Sequence, residues 1–132
     1  MKVAITRRYT FEAGHRLQHL PPGHKCLREH GHSYEVEVTV SRPAPLGLDG
    51  MVLEASLLDE RVTPLIKDLD HQQLHKLTFK GGPRFAAMVE QPTAENIAIW
   101  LFSSIKNSLS DGLTLERVRV AETARLYAEV TA

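Results

Sequence analysis

Only one cysteine, Cys26, occurs in 132 residues, so no disulfide can form within the chain. The opening stretch Met1 to Arg8 lacks the apolar core of a secretory leader, and a reduced thiol in the cytoplasm is therefore expected. No apolar run approaches the roughly 18 residues that a membrane span requires, so no membrane partner is expected. Charge of one sign is also missing. Sixteen acidic and sixteen basic side chains cancel, which removes the broad positive field that nucleic acid demands and leaves room only for a local cationic pocket. There is no internal repeat, low-complexity tract or linker. A chain of this length buries about two-thirds of its unfolded surface, and residues 1–132 read as a single domain.

What is abundant is histidine, seven in all, five of them between positions 15 and 32. The stretch Cys26-Leu27-Arg28-Glu29-His30-Gly31-His32 organises the rest. On a strand, His30 and His32 point to one face with Cα atoms about 6.6 Å apart, close enough for both imidazoles to reach one ion. Tyr34, Val36, Val38 and Val40 share their parity, whereas Ser33, Glu35, Glu37 and Thr39 fall on the other side. The two histidines therefore top an inward face. A third donor is available in His15, which ends an earlier run where Phe11, Ala13 and His15 share one parity. If the two runs pair, three imidazoles meet, as a catalytic zinc site with an open fourth position requires. The bland alternative makes His-Gly-His a turn whose histidines are merely tolerated.

Residues 2–13 read as a strand with a break near Arg7-Arg8, and 16–29, with Pro21, Pro22 and Gly23, as a loop. A strand over 33–41 ends at Arg42-Pro43. Gly47 to Gly50 make a turn before Met51-Val52-Leu53, which suggests a hairpin. Ser56 followed by Asp59 fits a helix start, and Leu58, Val62, Leu65 and Leu69 mark one helix face with a kink expected at Pro64. Residues 70–92 read as an irregular, functional-length loop. Thr93 then caps a second helix whose stripe is Ile97, Trp100, Leu101, Ile105 and Leu109, closed by Asp111-Gly112. Strands follow over 115–123 and 126–130. The order ββααββ predicts an α+β domain, a four-stranded antiparallel sheet with two helices on one face.

Three further positions carry chemistry. Cys26 is either a small buried hydrophobe or, between Lys25 and Arg28, a thiol whose surroundings favour the thiolate; direct coordination would close the metal site. Asp70-His71 is either a solvated helix end or a carboxylate fixing an imidazole for proton transfer near neutral pH. Glu122 shares the inward face of Val118 and Val120. Either its strand has reached solvent there, or the carboxylate awaits a bidentate donor that offsets its burial.

Together these residues resemble the 6-pyruvoyltetrahydropterin synthase and 6-carboxytetrahydropterin synthase (QueD) family over nearly the full length. The matching segments are Phe11-Glu12-Ala13-Gly14-His15-Arg16-Leu17, Gly23-His24-Lys25-Cys26, Cys26-x-x-x-His30-Gly31-His32, Gly50-Met51-Val52, Leu69-Asp70-His71, Pro92-Thr93-Ala94-Glu95-Asn96 and Glu122-Thr123. The three-residue gap between Cys26 and His30 looks like the bacterial carboxytetrahydropterin type.

The resemblance implies the tunnelling fold, in which trimers stack into homohexamers (dimers of trimers) with active sites at subunit interfaces. It implies zinc on His15, His30 and His32, with Cys26 as base, Asp70 and His71 as proton relay, and Glu122 anchoring the pterin. Thr93 and Glu95 are expected substrate contacts, and Lys25, Arg28 and Arg16 are assigned to the triphosphate on charge and position. The implied reaction is a zinc-dependent lyase step on 7,8-dihydroneopterin triphosphate, giving 6-carboxy-5,6,7,8-tetrahydropterin, acetaldehyde and triphosphate for queuosine-type 7-deazapurine synthesis. Pyruvoyl formation without carbon–carbon cleavage, or a zinc- and pterin-binding homologue without turnover, are the alternatives. Glu54-Ala55, Gln72, His75 and the 77–90 segment depart from the family pattern and leave substrate choice open.

Overall fold

A computed structural model describes residues 1–78 and 80–132; position 79, within the 77–90 segment, lies outside the described residues. Strand β1 (Lys2–His15) runs unbroken through Arg7-Arg8. The reason lies in helix α1 (Ala55–Leu69), whose Asp59 accepts two N–H groups of the Arg7 guanidinium, at 3.1 and 2.9 Å, and the Tyr9 hydroxyl at 2.7 Å. A charged residue on the inward parity is thus satisfied instead of breaking the strand.

Strand β2 (His30–Pro43) pairs antiparallel with β1. Its register sets Phe11 opposite Tyr34, Ala13 opposite His32 and His15 opposite His30. The Phe11 and Tyr34 rings stack with centroids 4.6 Å apart, and Tyr34, Val36, Val38 and Val40 are all fully buried. The inward face read from alternation is the core face, with the histidine pair at its end.

Helix α1 buries Leu58, Val62, Ile66 and Leu69, and continues through Pro64 to Leu69. Its cap is Glu54, not Ser56. The Glu54 carboxylate accepts from the Ser56 backbone N–H at 3.2 Å and also from the Ser56 hydroxyl, which puts negative charge at the positive helix end. No hairpin strand forms over 51–53: both edges of β2 are already taken, and Val52 enters the core without a ladder.

The largest departure falls within 70–92. Strand β3 (Gln72–Gln73) pairs parallel with β1 at Ala13 and Gly14, and helix α2 (Pro83–Glu90) follows. Proline at the first helical position needs no N–H partner, Gly82 takes the positive φ ahead of it, and Phe85 and Met88 bury one face. Two turns are too short to show a period.

Helix α3 (Ala94–Lys106) begins on Thr93, whose hydroxyl accepts the Asn96 N–H at 3.1 Å. It buries Ile97, Trp100, Leu101 and Ile105, and ends before Leu109 and Asp111-Gly112. Strands β4 (Thr114–Thr123) and β5 (Leu126–Thr131) complete the sheet, in the order β3-β1-β2-β4-β5. Among the described residues the architecture is α+β with a five-stranded mixed sheet and three helices, not the four-stranded antiparallel sheet with two helices predicted from alternation. Helix α1 packs on β1, and α3 on β4 and β5. No helix among the described residues is long and apolar enough to cross a membrane.

Candidate metal centre and adjoining cleft

Because His15 and His30 occupy one rung of the β1–β2 ladder and His32 lies diagonally across it, three inward-facing imidazoles converge. One ring nitrogen from each lies within 4.8 Å of the other two. The Nε2 atoms of His15 and His30 are 2.9 Å apart. His15 donates from Nδ1 to the Pro92 carbonyl at 2.7 Å, and His30 from Nδ1 to the Arg28 carbonyl at 2.8 Å. Each ring is thereby held in the tautomer that leaves an Nε2 lone pair, and the two lone pairs face each other. Two such lone pairs repel unless a proton or cation lies between them. Tetrahedral zinc would hold them about 3.3 Å apart, so a small movement accommodates an ion. His32 Nε2 is buried without a hydrogen-bond partner among the described residues, a second sign that this donor set fits a metal.

The electrostatics agree. Burial lowers the pKa of fully enclosed His15 to about 4, against the Pro92 carbonyl, which raises it. Burial lowers that of His32 as well, opposed by the charge of Glu122. Both rings are neutral at ordinary pH, the form that ligates metals.

Glu122 sits where the β4–β5 register shifts between Ala121 and Thr123. Its side chain is only 16% exposed there, with one carboxylate oxygen 3.6 Å from His32 Nε2. This is beside the ring but beyond hydrogen-bond length. His32 also lines a cleft of about 430 Å³ together with Glu12, Gly14, Ser33, His71 and Gln73. His71 is held at a left-handed φ of 59° by its N–H to the Glu12 carbonyl, and its Nδ1 lies 2.9 Å from Asp70. The Glu12 N–H first, and His71 second, hold the Asp70 carboxyl below its usual range. Asp70 and His71 therefore form a contact pair, and His71 shares the cleft with His32.

The other expected site residues lie around this group. Cys26 is half-buried in a short 3-10 turn (Lys25–Leu27), pinned by its N–H to His24 Nδ1 and by its carbonyl to the Leu17 N–H. It is outside the histidine group and does not line the cleft. Arg16, Lys25 and Arg28 are exposed on the same loop and make no ion pair among the described residues. Thr93 spends its hydroxyl on the α3 cap, and Glu95 is exposed in the first turn. Three features escaped sequence reading. The Tyr34 hydroxyl lies 3.2 Å from His15 Nδ1, a neighbour that its parity with His32 could have signalled. The Pro92 carbonyl carried no signal. Glu29, next to His30, meets Lys76 at 2.9 Å and His75 at 3.1 Å; Lys76 first, then His75, lowers its pKa.

Comparison with known proteins accords with this arrangement. The family described as 6-pyruvoyl tetrahydropterin synthase matches residues 4–132. A 6-carboxy-5,6,7,8-tetrahydropterin synthase of Synechocystis sp. is 36% identical over 123 residues, covering 90% of this chain and 85% of the relative. The dihydroneopterin monophosphate aldolase of Pyrococcus furiosus is 29% identical, covering 92% of this chain and 91% of the relative. The 6-pyruvoyl tetrahydropterin synthase of Caenorhabditis elegans has the same fold, with a TM-score of 0.82 and 24% identity over all of this chain and 96% of that one. With a family match over almost every residue and a fold shared from end to end, the chain belongs to the 6-pyruvoyl tetrahydropterin synthase family.

Proposed function

We propose that the protein is a cytoplasmic, zinc-dependent lyase converting 7,8-dihydroneopterin triphosphate and one water to 6-carboxy-5,6,7,8-tetrahydropterin, with release of acetaldehyde and triphosphate. The observation that carries this reading is the convergence of the imidazoles His15, His30 and His32, two with their Nδ1 protons turned onto carbonyls. The Synechocystis relative, named for that product, supports the carboxy branch. Zinc held by these three side chains would polarise the oxygens of the substrate side chain and acidify the neighbouring C–H.

The chain's own groups do the rest. Cys26, as thiolate, takes the proton from carbon. His71, oriented by Asp70, returns or removes protons on the opposite side. Glu122 receives the N–H edge of the pterin, which compensates a carboxylate otherwise enclosed beside His32. Thr93 and Glu95 contact the substrate near the start of α3, and Arg16, Lys25 and Arg28 meet the triphosphate. A homohexamer is supported by the outer edges of β5 and of most of β1, which are unpaired among the described residues and would otherwise invite non-specific pairing.

Incubation with dihydroneopterin triphosphate and trapping of acetaldehyde tests the reading. Full turnover without acetaldehyde would replace it with pyruvoyl formation. Turnover of neither kind by zinc-loaded protein would leave a binding homologue.

Glu29 favours a second reading, aldol cleavage of a dihydroneopterin phosphate, the activity named for the Pyrococcus relative. An ionised carboxylate one residue from a metal-facing histidine is a second base that the cysteine chemistry does not use. Under this reading Glu29→Gln abolishes aldehyde release from dihydroneopterin monophosphate while Cys26→Ala leaves it.

A further inference from the structure

His15 is wholly enclosed, and the group that aims its ring is the Pro92 carbonyl. What holds that carbonyl is visible one residue earlier. The side chain of Gln91 ends in an amide, the same chemical unit as a peptide, and it pairs with the main chain of Gln18 as a neighbouring strand would. Its Oε1 accepts the Gln18 N–H at 2.6 Å, and its Nε2 donates to the Gln18 carbonyl at 2.5 Å. The main chain of Gln91 is equally committed. Its N–H closes α2 on the Ala87 carbonyl, and its carbonyl accepts from the Thr93 N–H at 2.8 Å and from the Asn96 side chain at 2.9 Å.

These contacts close a small ring. From His15 the chain runs three residues to Gln18; the Gln91 amide crosses to the second segment; one peptide bond leads to Pro92; and the His15 imidazole crosses back. An amide pair and an imidazole form the rungs of this ring, and the Gln18 side chain adds a bond from the same loop to the Glu90 carbonyl at 3.2 Å. Proline has no N–H with which to anchor itself. The position of its carbonyl therefore depends on its neighbours, and removing the amide rung frees both Gln18 backbone groups and takes from the elbow between α2 and α3 its tie to the main chain of the loop leaving β1. The Tyr34 hydroxyl, 3.2 Å from the same Nδ1, then competes to set the ring.

We propose that Gln91 is a positioning residue for the metal centre: its side-chain amide holds the Pro92 carbonyl at the place from which it orients His15 toward the ion. The inference rests on the metal reading of the histidine trio. Partners of metal-ligating imidazoles typically change metal affinity by about 10- to 100-fold when lost.

Zinc affinity is measured by competition with a chromophoric chelator on purified full-length protein, together with the thermal midpoint of the zinc-free form. Gln91→Ala is expected to bind zinc at least about 10-fold more weakly than the parent chain. Gln91→Glu, which accepts from the Gln18 N–H but cannot donate to its carbonyl, should fall between. Gln18→Ala keeps the main-chain pair and loses only its side-chain contact with the Glu90 carbonyl, so it should bind like the parent. If the parent holds no zinc, the metal reading itself fails. If the parent holds zinc and a folded Gln91→Ala binds it equally well, the proposal is overturned, even where the thermal midpoint drops. Should Gln91→Ala not fold, parent-like affinity in Gln91→Glu overturns it instead.

Discussion

His15 and His30 stand on the same rung of an antiparallel ladder with their Nε2 atoms 2.9 Å apart, while their Nδ1 atoms lie on carbonyls from two different segments. Each imidazole is therefore oriented before any ion arrives. Replacing His30 with alanine removes one donor at a partly exposed position and should take bound zinc from near one per chain to near zero. Metal analysis after dialysis checks this, with circular dichroism showing the fold retained. Unfolding of the parent chain on removal of zinc would instead mark the site as structural.

Cys26 lies close in sequence to this cluster but outside it. Cys26→Ala should lower turnover of dihydroneopterin triphosphate by at least about 100-fold, the usual scale for a lost proton-transfer group, and leave zinc content unchanged. Loss of zinc in that variant would make the sulfur a ligand.

The zinc-free protein should lose stability on mild acidification. His15 is held neutral by burial down to about pH 4, and burial lowers His32 in the same direction, whereas both take up protons near pH 6.5 once unfolded. Between those values the unfolded state binds more protons. The contribution is complete above about pH 6.5, declines as pH falls, and is gone below the folded value. Urea midpoints of the zinc-free chain at pH 7 and pH 4.5 read this directly, and His15→Gln should flatten the difference.

Asp59 serves the fold and not the site. Asp59→Ala strips the acceptor from Arg7 and from the part-buried Tyr9 hydroxyl, and should cost about 1–2 kcal/mol in denaturant unfolding. Zinc affinity should not change. A parallel drop in metal binding would show that the strain reaches the end of β1.

The inward face of β2 was legible because strand parity is a local property: once Tyr34, Val36, Val38 and Val40 alternate with polar residues, His30 and His32 must follow them. The Thr93 cap was legible for the same reason, since a hydroxyl three residues before its N–H partner needs nothing remote. Arg7 was misread as a break because its partner, Asp59, sits fifty-two positions away on another element. Helix α2 was missed because eight residues complete barely two turns, and β3 because Gln72 and Gln73 show no apolar alternation.

By itself the sequence determined which side chains share a face along β2 and along the longer helices, through rules that act over two to four residues. Tertiary structure alone decided that His15 meets His30 across a ladder, that Glu122 comes to rest beside His32 at a register shift, and that a proline carbonyl seventy-seven positions from His15 aims its ring. Backbone carbonyls are identical in every residue, so nothing in the amino-acid order marks the one that the fold will bring to the His15 imidazole.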